Sequence, residues 1–222
     1  MIAIFLRGEF HFPEFDGDRE QFATVVNDLA SSGRDGADAR RRLLYRRRGH
    51  LWRELPNDTE WWEVEVEAED VRNMKVFTRR HWKRMDPKDH SVPTFAEGMR
   101  SARVSRIPAV EAAKIFALQE RISEGCAGND TILLVGVDER QPATILEGNK
   151  RVIAAYLADP ELVVSRFRFL LGISSAMSQC IFYEHTPANF RNYLWHRLTY
   201  AMLHPWRGFS RPANYLENET YR

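Results

Sequence analysis

The stretch of the sequence best suited to chemistry is ATILEGNKRVIAAYLA, residues 143–158. An apolar run typical of a strand ends at Gly148, and a run with helical spacing begins directly after it. The first turn of a helix exposes backbone N–H groups at the positive end of the helix dipole, and glycine lets a ligand approach the backbone closely. This arrangement is typical of sites that bind anions, above all phosphate.

The side chains around this glycine also suit a phosphate site. Lys150 would supply a point charge and Arg151 a two-pronged donor, while Asn149 could cap the helix. Glu147, at the end of the strand, could contact a magnesium ion or accept a proton from a substrate hydroxyl. A simpler interpretation is a strand-to-helix turn with two solvated cations, and the residues alone leave both open.

The elements that would position the turn can be traced upstream of it. Apolar spacing predicts a helix over about 108–124, which Gly125 would end as a C-cap. The β-branched run TILLVGVDE, residues 131–139, predicts a well-buried strand, and residues 143–146 predict a second, short one. The helix that starts at the turn should run to about residue 158.

Residues from about 63 to 157 resemble the nucleotide-binding fold shared by ParB-type partition proteins, sulfiredoxin and the free serine kinases related to them. Members of this superfamily carry a strand and then Gly-x-[His/Arg/Lys]-Arg-x-x-Ala at the start of a helix, and GNKRVIA, residues 148–154, fits this pattern. The upstream order is also similar, with the early strand WEVEVEAEDV, a helix ending in ERISEG and the strand ILLVGV. The resemblance implies that the chain binds a nucleotide, ATP or CTP, with magnesium.

At the turn, the resemblance carries over residue by residue. Gly148, Asn149, Lys150 and Arg151 match the family segment whose backbone and basic side chains hold nucleotide phosphates. Glu147 stands where many kinase-like members have an acidic residue. The sequence departs from the family at Lys150, where sulfiredoxin-like and kinase-like members usually have histidine and partition proteins usually have arginine.

Other features narrow the activity that the resemblance implies. The turn contains no cysteine, which argues against sulfiredoxin activity, and no helix-turn-helix module is recognisable after residue 160, which a partition protein would need for DNA. The kinases also need a glutamate upstream of the turn, and Glu97 and Glu111 are both candidates by position. We therefore expect hydrolysis of the nucleotide, or transfer of its phosphate to a small-molecule acceptor, with positioning and charge neutralisation carrying most of the catalysis. A scaffold that keeps the fold without the nucleotide is the remaining alternative.

An arginine-rich segment supports a second hypothesis. The predicted helix ARRRLLYRRRGHLWREL, residues 39–55, contains the triplet 40–42 and then Arg46, Arg47 and Arg48. Each contact between an arginine and a phosphodiester adds salt-sensitive affinity, so a nucleic-acid-binding or nuclease-type module could use this helix together with the turn. A solvated helix face is the simpler interpretation.

The two ends of the chain are predicted to extend this core. Near the N-terminus we expect a short strand, Ile2 to Leu6, and an amphipathic helix around 20–29. In WWEVEVEAEDV, residues 61–71, the alternation predicts a strand whose inner face is formed by Trp62, Val64 and Val66. Toward the C-terminus, LVVSRFRFLLGI predicts a strand, and TPANFRNYLWHRLTYAMLH predicts a helix capped by its first threonine.

The expected fold is α+β, a small mixed sheet surrounded by helices in the ParB/sulfiredoxin manner. Residues 1–58 would form an N-terminal strand and a basic helical arm, residues 59–160 the nucleotide-binding core, and residues 161–222 a helical extension packed on that core. Only the turn and the order of the elements before it carry the family resemblance.

Length and composition limit the class of protein, the partners and the location that the sequence can support. A chain of 222 residues, 44% hydrophobic and 28% charged, suits a globular domain with a sizeable core, and a net charge of +1 favours no particular partner. The two cysteines, Cys126 and Cys180, lack metal-type spacing and are expected in the interior. No apolar stretch is long enough to span a bilayer, and the N-terminus does not resemble a signal peptide, so we expect a cytoplasmic location and no membrane partner.

Overall fold

A mixed sheet with helices on both faces forms the centre of the molecule. The computed structural model describes residues 2–10, 13–27, 33–77, 89–101, 109–125 and 130–203. These residues confirm the α+β class. None of the helices within these ranges combines the length and the apolar character that crossing a bilayer requires.

The sheet has five strands, β1 (Glu60–Val64), β2 (Lys75–Val76), β3 (Thr131–Gly136), β4 (Thr144–Glu147) and β5 (Arg168–Ile173). Their order across the sheet is β1-β5-β3-β4-β2. β5 runs antiparallel to β1 and parallel to β3, whereas β4 runs antiparallel to β3 and parallel to β2. Because β5 lies between β1 and β3, the segment expected as a helical extension beyond residue 160 contributes an inner strand of the sheet.

The α-helices of the described ranges are α1 (Ile2–Glu9), α2 (Arg19–Asn27), α3 (Arg34–Trp52), α4 (Ala68–Asn73), α5 (Val92–Arg100), α6 (Ala109–Ser123), α7 (Asn149–Ala158), α8 (Pro160–Arg166) and α9 (Pro187–Leu203). The predicted helices at α2, α3, α6, α7 and α9 are confirmed, as are the strands β3 and β4. Thr186 caps α9 as expected, since its hydroxyl oxygen accepts a hydrogen bond of 3.1 Å from the Asn189 N–H.

The central strand β3 is buried on both faces, which explains its unbroken apolar run. Ile132 and Leu134 of β3 join one apolar cluster, and Leu133 and Val135 join the other. We call the first cluster, with α4 to α8 over it, the inner layer. We call the second the terminal layer, because α1 to α3 and the residues around 177–182 cover it.

The predicted strand at Ile2 to Leu6 is wrong, because this segment belongs to the helix α1. Phe5, Leu6 and Glu9 are its buried residues, and this spacing places them on one side of a helix. A short apolar run cannot be assigned to helix or strand by periodicity alone. Packing against α2 and α3 decides the conformation.

The predicted strand at 61–71 is too long and partly misoriented. β1 ends at Val64, and the Asp70 carboxylate accepts a hydrogen bond of 2.9 Å from the Glu67 N–H, which stabilises the first turn of α4. Trp62 is 55% exposed, contrary to its predicted inner position. Its neighbour Trp61 packs inward instead, with its ring centroid 6.0 Å from that of Trp52.

The segment LVVSRFRFLLGI, predicted as one strand, is divided between α8 and β5. The Asp159 side chain accepts a hydrogen bond of 3.0 Å from the Glu161 N–H, and Pro160 occupies the first turn of the helix. This cap and proline start α8, so that only the second half of the segment is extended. Residues 204–222 of the expected extension lie outside the described residues.

Candidate functional site

Gly148 turns the chain from β4 into α7, in a conformation that requires glycine. Its φ is +108°, in the left-handed region, and a Cβ at this position would lie 2.4 Å from the Ile132 Cδ1 atom. The first intrahelical bond runs from the Val152 N–H to the Gly148 carbonyl, at 3.0 Å. Gly148 is the N-cap residue and has no side chain with which to cap α7, and the first N–H groups of the helix lie at its positive end, directly after β4.

Asn149 does not cap the helix, contrary to the prediction, because Gly148 occupies the cap position. The Asn149 side-chain oxygen accepts a hydrogen bond of 2.9 Å from the Phe77 N–H, and its amide donates to the Ile145 carbonyl at 3.2 Å. These bonds connect the first residue of α7 to the residue that follows β2 and to the interior of β4. Asn149 therefore fixes the position of the turn relative to two strands.

Arg151 is half-buried and connects α7 to the beginning of β3. Its Nη1 atom donates a hydrogen bond of 3.0 Å to the Thr131 carbonyl. That bond uses one of the five N–H donors of a guanidinium. Arg151 is thus part of the framework of the turn and not a solvated surface cation.

Lys150 forms an ion pair with a glutamate of α6. Its Nζ atom lies 2.8 Å from the Glu111 Oε2 atom, and the Lys114 Nζ atom lies 3.8 Å from the Oε1 atom of the same carboxylate. The carboxylate is nearly buried, since 9% of the Glu111 side chain is exposed. Two cations therefore share one carboxylate where the first turns of α6 and α7 meet.

Glu111 is also one of the two upstream glutamates that the resemblance left open. The structure joins Glu111 to the turn through Lys150, whereas Glu97 lies exposed on α5. The Glu111 and Lys114 spacing of three on a predicted helix is readable from sequence. Their convergence with Lys150 depends on how α6 packs along α7, and no sequence signal gave it.

Glu147 is the last residue of β4, half-buried, and opposite Leu133 of β3. Glu147 immediately precedes Gly148, so its backbone leads directly into the turn, and a position of its carboxylate at the rim of a phosphate site stays a prediction. Within the described ranges, no three His, Cys, Asp or Glu side chains converge as a metal cluster. Glu147 nevertheless fits the usual binding of magnesium, which takes one or two carboxylates together with substrate phosphates.

The arginines of the second hypothesis belong to α3. Arg41 and Arg42 are exposed, and Arg40 donates a hydrogen bond of 3.1 Å from Nη1 to the Val25 carbonyl. The side chains of Arg46, Arg47 and Arg48 lie outside the described part of the chain. Nucleic-acid binding through this helix therefore stays a prediction.

The cysteines add no nucleophile to the described part of the chain. Burial raises the pKa of the Cys180 thiol to about 11, so that it stays protonated at neutral pH. Cys126 lies outside the described residues.

Taken as chemistry, the turn combines a helix start whose N-cap residue is a glycine, the cationic amine of Lys150 and the glutamate that directly precedes Gly148. Such a combination can hold an oxyanion and, with a cation, neutralise it. No family model, curated protein or solved structure matches the chain. The geometry of this turn is therefore the basis for a functional proposal.

Proposed function

We propose that this chain binds the phosphates of a nucleotide, ATP or CTP, at the turn between β4 and α7, and that with magnesium it hydrolyses the nucleotide or transfers phosphate to a small-molecule acceptor. The observation that carries this proposal is the left-handed, tightly packed Gly148, which is the N-cap residue of α7 and has no side chain with which to cap it. A side chain at residue 148 would collide with the interior, and the N–H groups that follow are suited to anions.

Lys150 supports the same function. Its amine already holds an oxyanion, the Glu111 carboxylate, at 2.8 Å, so the surroundings of this amine are suited to a negative oxygen ligand. A phosphate oxygen could replace that carboxylate without any change in the type of interaction. The match of residues 148–154 to the phosphate segment of the ParB/sulfiredoxin superfamily points to the same ligand.

Glu147 suggests a reaction beyond binding. A carboxylate beside bound phosphates is unfavourable unless a cation lies between them or the carboxylate takes a proton. Glu147 would hold the magnesium ion together with the phosphates, and the ion would neutralise the charge that develops on them. Alternatively, Glu147 would not contact the ion and would accept the proton of the attacking group, a substrate hydroxyl in a transfer or a water molecule in hydrolysis.

The test compares the parent chain with Glu147→Gln, which keeps the shape of the side chain and removes its charge. Affinity for ATP and CTP is measured by calorimetry at fixed magnesium, alongside release or transfer of phosphate. We expect binding within a few-fold of the parent and turnover reduced by about 100-fold, the effect of losing a general base. Tighter binding with unaltered turnover, or a parent that turns over neither nucleotide, would contradict the enzymatic part of the proposal.

A further inference from the structure

The contact between Glu111 and Lys150 has a consequence for the strength of ligand binding. We propose that Glu111 is an internal competitor, an anion of the protein itself that holds the Lys150 amine and that a ligand phosphate must displace. This inference rests on the proposed function and concerns the regulation of the same site. It predicts that the native glutamate makes phosphate binding weaker than the turn alone would allow.

The geometry of the pair supports competition. The 2.8 Å distance between Lys150 Nζ and Glu111 Oε2 is that of a charge-assisted hydrogen bond. Lys150 is in the first turn of α7 and Glu111 in the first turn of α6, so their contact holds the Lys150 amine where the starts of the two helices meet. The Glu111 carboxylate therefore binds the Lys150 amine, which would otherwise be available to an anion at the start of α7.

Lys114 makes it feasible for Lys150 to leave Glu111 and bind a phosphate. A buried carboxylate that loses its partner is strongly destabilised. If Lys150 moved to a phosphate, Glu111 would retain Lys114, whose Nζ atom lies 3.8 Å from Oε1. The second lysine thus allows the first to leave.

The difference in exposure indicates which lysine moves. The Lys150 side chain is 28% exposed, and the Lys114 side chain is 13% exposed. A lysine amine is a point charge on a flexible stem of four carbons, so Lys150 can rotate toward solvent without movement of the backbone. α6 and α7 pack along each other and provide a fixed frame for that rotation.

The experiment measures the affinity of inorganic triphosphate, a probe with the charges of a nucleotide and no base, by calorimetry at constant ionic strength. The variants are Glu111→Gln, which removes the competing charge, and Lys150→Gln, alone and together. We expect Glu111→Gln to lower the Kd about tenfold, within the range of couplings between contacting residues. In the Lys150→Gln background the same change should alter the Kd less than about twofold.

Glu111→Asp is a second variant that keeps the charge and shortens the side chain by one methylene. It should bind triphosphate more tightly than the parent but less tightly than Glu111→Gln, because the carboxylate no longer reaches Lys150. This variant also carries the test if Glu111→Gln does not fold. A Glu111→Asp affinity no higher than that of the parent would contradict competition.

The remaining outcomes separate the two proposals. A parent that binds triphosphate and a Glu111→Gln variant that binds it no better would overturn the competition and leave the binding site standing. If Glu111→Gln lowers the Kd for triphosphate equally with Lys150 and with Gln at position 150, the carboxylate acts only through its long-range charge. That result would also overturn the competition for Lys150. If neither protein binds triphosphate, the competition and the proposed function fail together.

Discussion

The two layers that cover the sheet come from different parts of the chain. The inner layer is built from neighbouring segments between about 66 and 169, the elements that alternate with the strands. The terminal layer combines residues from 5–52 and 170–182, which are distant in the sequence, with Phe77 and with residues of β3 and β4. Both layers bury the same strands, since alternate residues of β3, β4 and β5 point to opposite faces.

The layers also differ in chemistry. The terminal layer is rich in aromatic pairs, such as Phe77 and Phe182, whose ring centroids are 5.0 Å apart, and Phe5 and Trp52, at 5.5 Å. The inner layer includes the cluster of Glu111, Lys114 and Lys150 at its edge. The two faces of the sheet are therefore covered differently, by aromatic pairs on one face and by a layer with this ion-pair cluster at its edge on the other.

The largest expected effect comes from removing the terminal layer. A fragment of residues 59–160 lacks α1 to α3 and also lacks β5, which lies between β1 and β3. Leu133, Val135 and Leu146 would lose their cover. We expect no cooperative thermal transition in calorimetry, whereas the full chain should show one. A soluble fragment with a sharp transition would show that the inner layer is an independent domain.

A smaller effect on stability should come from adding a side chain at Gly148, in the turn between β4 and α7. Gly148→Ala should lower the free energy of unfolding by about 3 kcal/mol, because it combines a left-handed backbone with a collision at Ile132. Gly125→Ala is the matched control, since Gly125 has φ +81° but none of the described residues has an atom within 4 Å of an added Cβ. It should lower the free energy by about 1 kcal/mol, measured by denaturant unfolding.

Ile132→Val separates the two causes, because valine lacks the Cδ1 atom that the added Cβ would meet. In this background, Gly148→Ala should approach the effect of Gly125→Ala. Equal effects of the two glycine changes in the parent would show that close packing plays no part at the turn.

The smallest effect concerns the contact between α9 and the residues that follow α3. The His196 Nδ1 atom of α9 lies 2.9 Å from an oxygen of Glu54, whose side chain is 6% exposed. His196→Ala would remove this partner from a buried carboxylate, and we expect the free energy of unfolding to fall by about 1 kcal/mol at pH 7. Denaturant unfolding at several pH values measures the difference from the parent.

The sign of the pH dependence follows from Glu54. Burial raises the pKa of Glu54, and the hydrogen bond to His196 and the charges of His196, Arg53 and Arg197 only partly oppose this rise. Glu54 therefore takes up a proton at a higher pH in the folded chain than in the unfolded chain, and its contribution is lost as the pH rises through the raised pKa. A neutral carboxyl needs its partner less, so between pH 7 and pH 4 the effect of His196→Ala should be smaller below the raised pKa of Glu54 than above it. A constant difference across this range would contradict the role of Glu54.

The sequence was most informative in the inner layer. The unbroken run of β3, the helix α6 and the transition from β4 to α7 all follow from local patterns. Segments that depend on distant partners were harder to predict. Ile2 to Leu6 is helical because α2 and α3 pack against it, and α8 interrupts a pattern typical of a strand.

In the candidate site, too, the sequence did not predict contacts between residues that are distant along the chain. The glycine, the cations and Glu147 were predicted from one short segment. The partners of these cations, Glu111 for Lys150 and the Thr131 carbonyl for Arg151, lie 39 and 20 residues away in the sequence. Only the folded arrangement of α6, α7 and β3 brings them together.

The most direct test of the central claim is a titration of the isotopically labelled full chain with inorganic triphosphate and magnesium, followed by the NMR shifts of the backbone amides. If the turn binds phosphate, the amides of Asn149, Lys150 and Arg151 should show the largest changes, because their N–H groups would donate to it. These changes should saturate together with a single affinity. Saturable changes confined to the arginines of α3, or no changes at the start of α7, would contradict the claim.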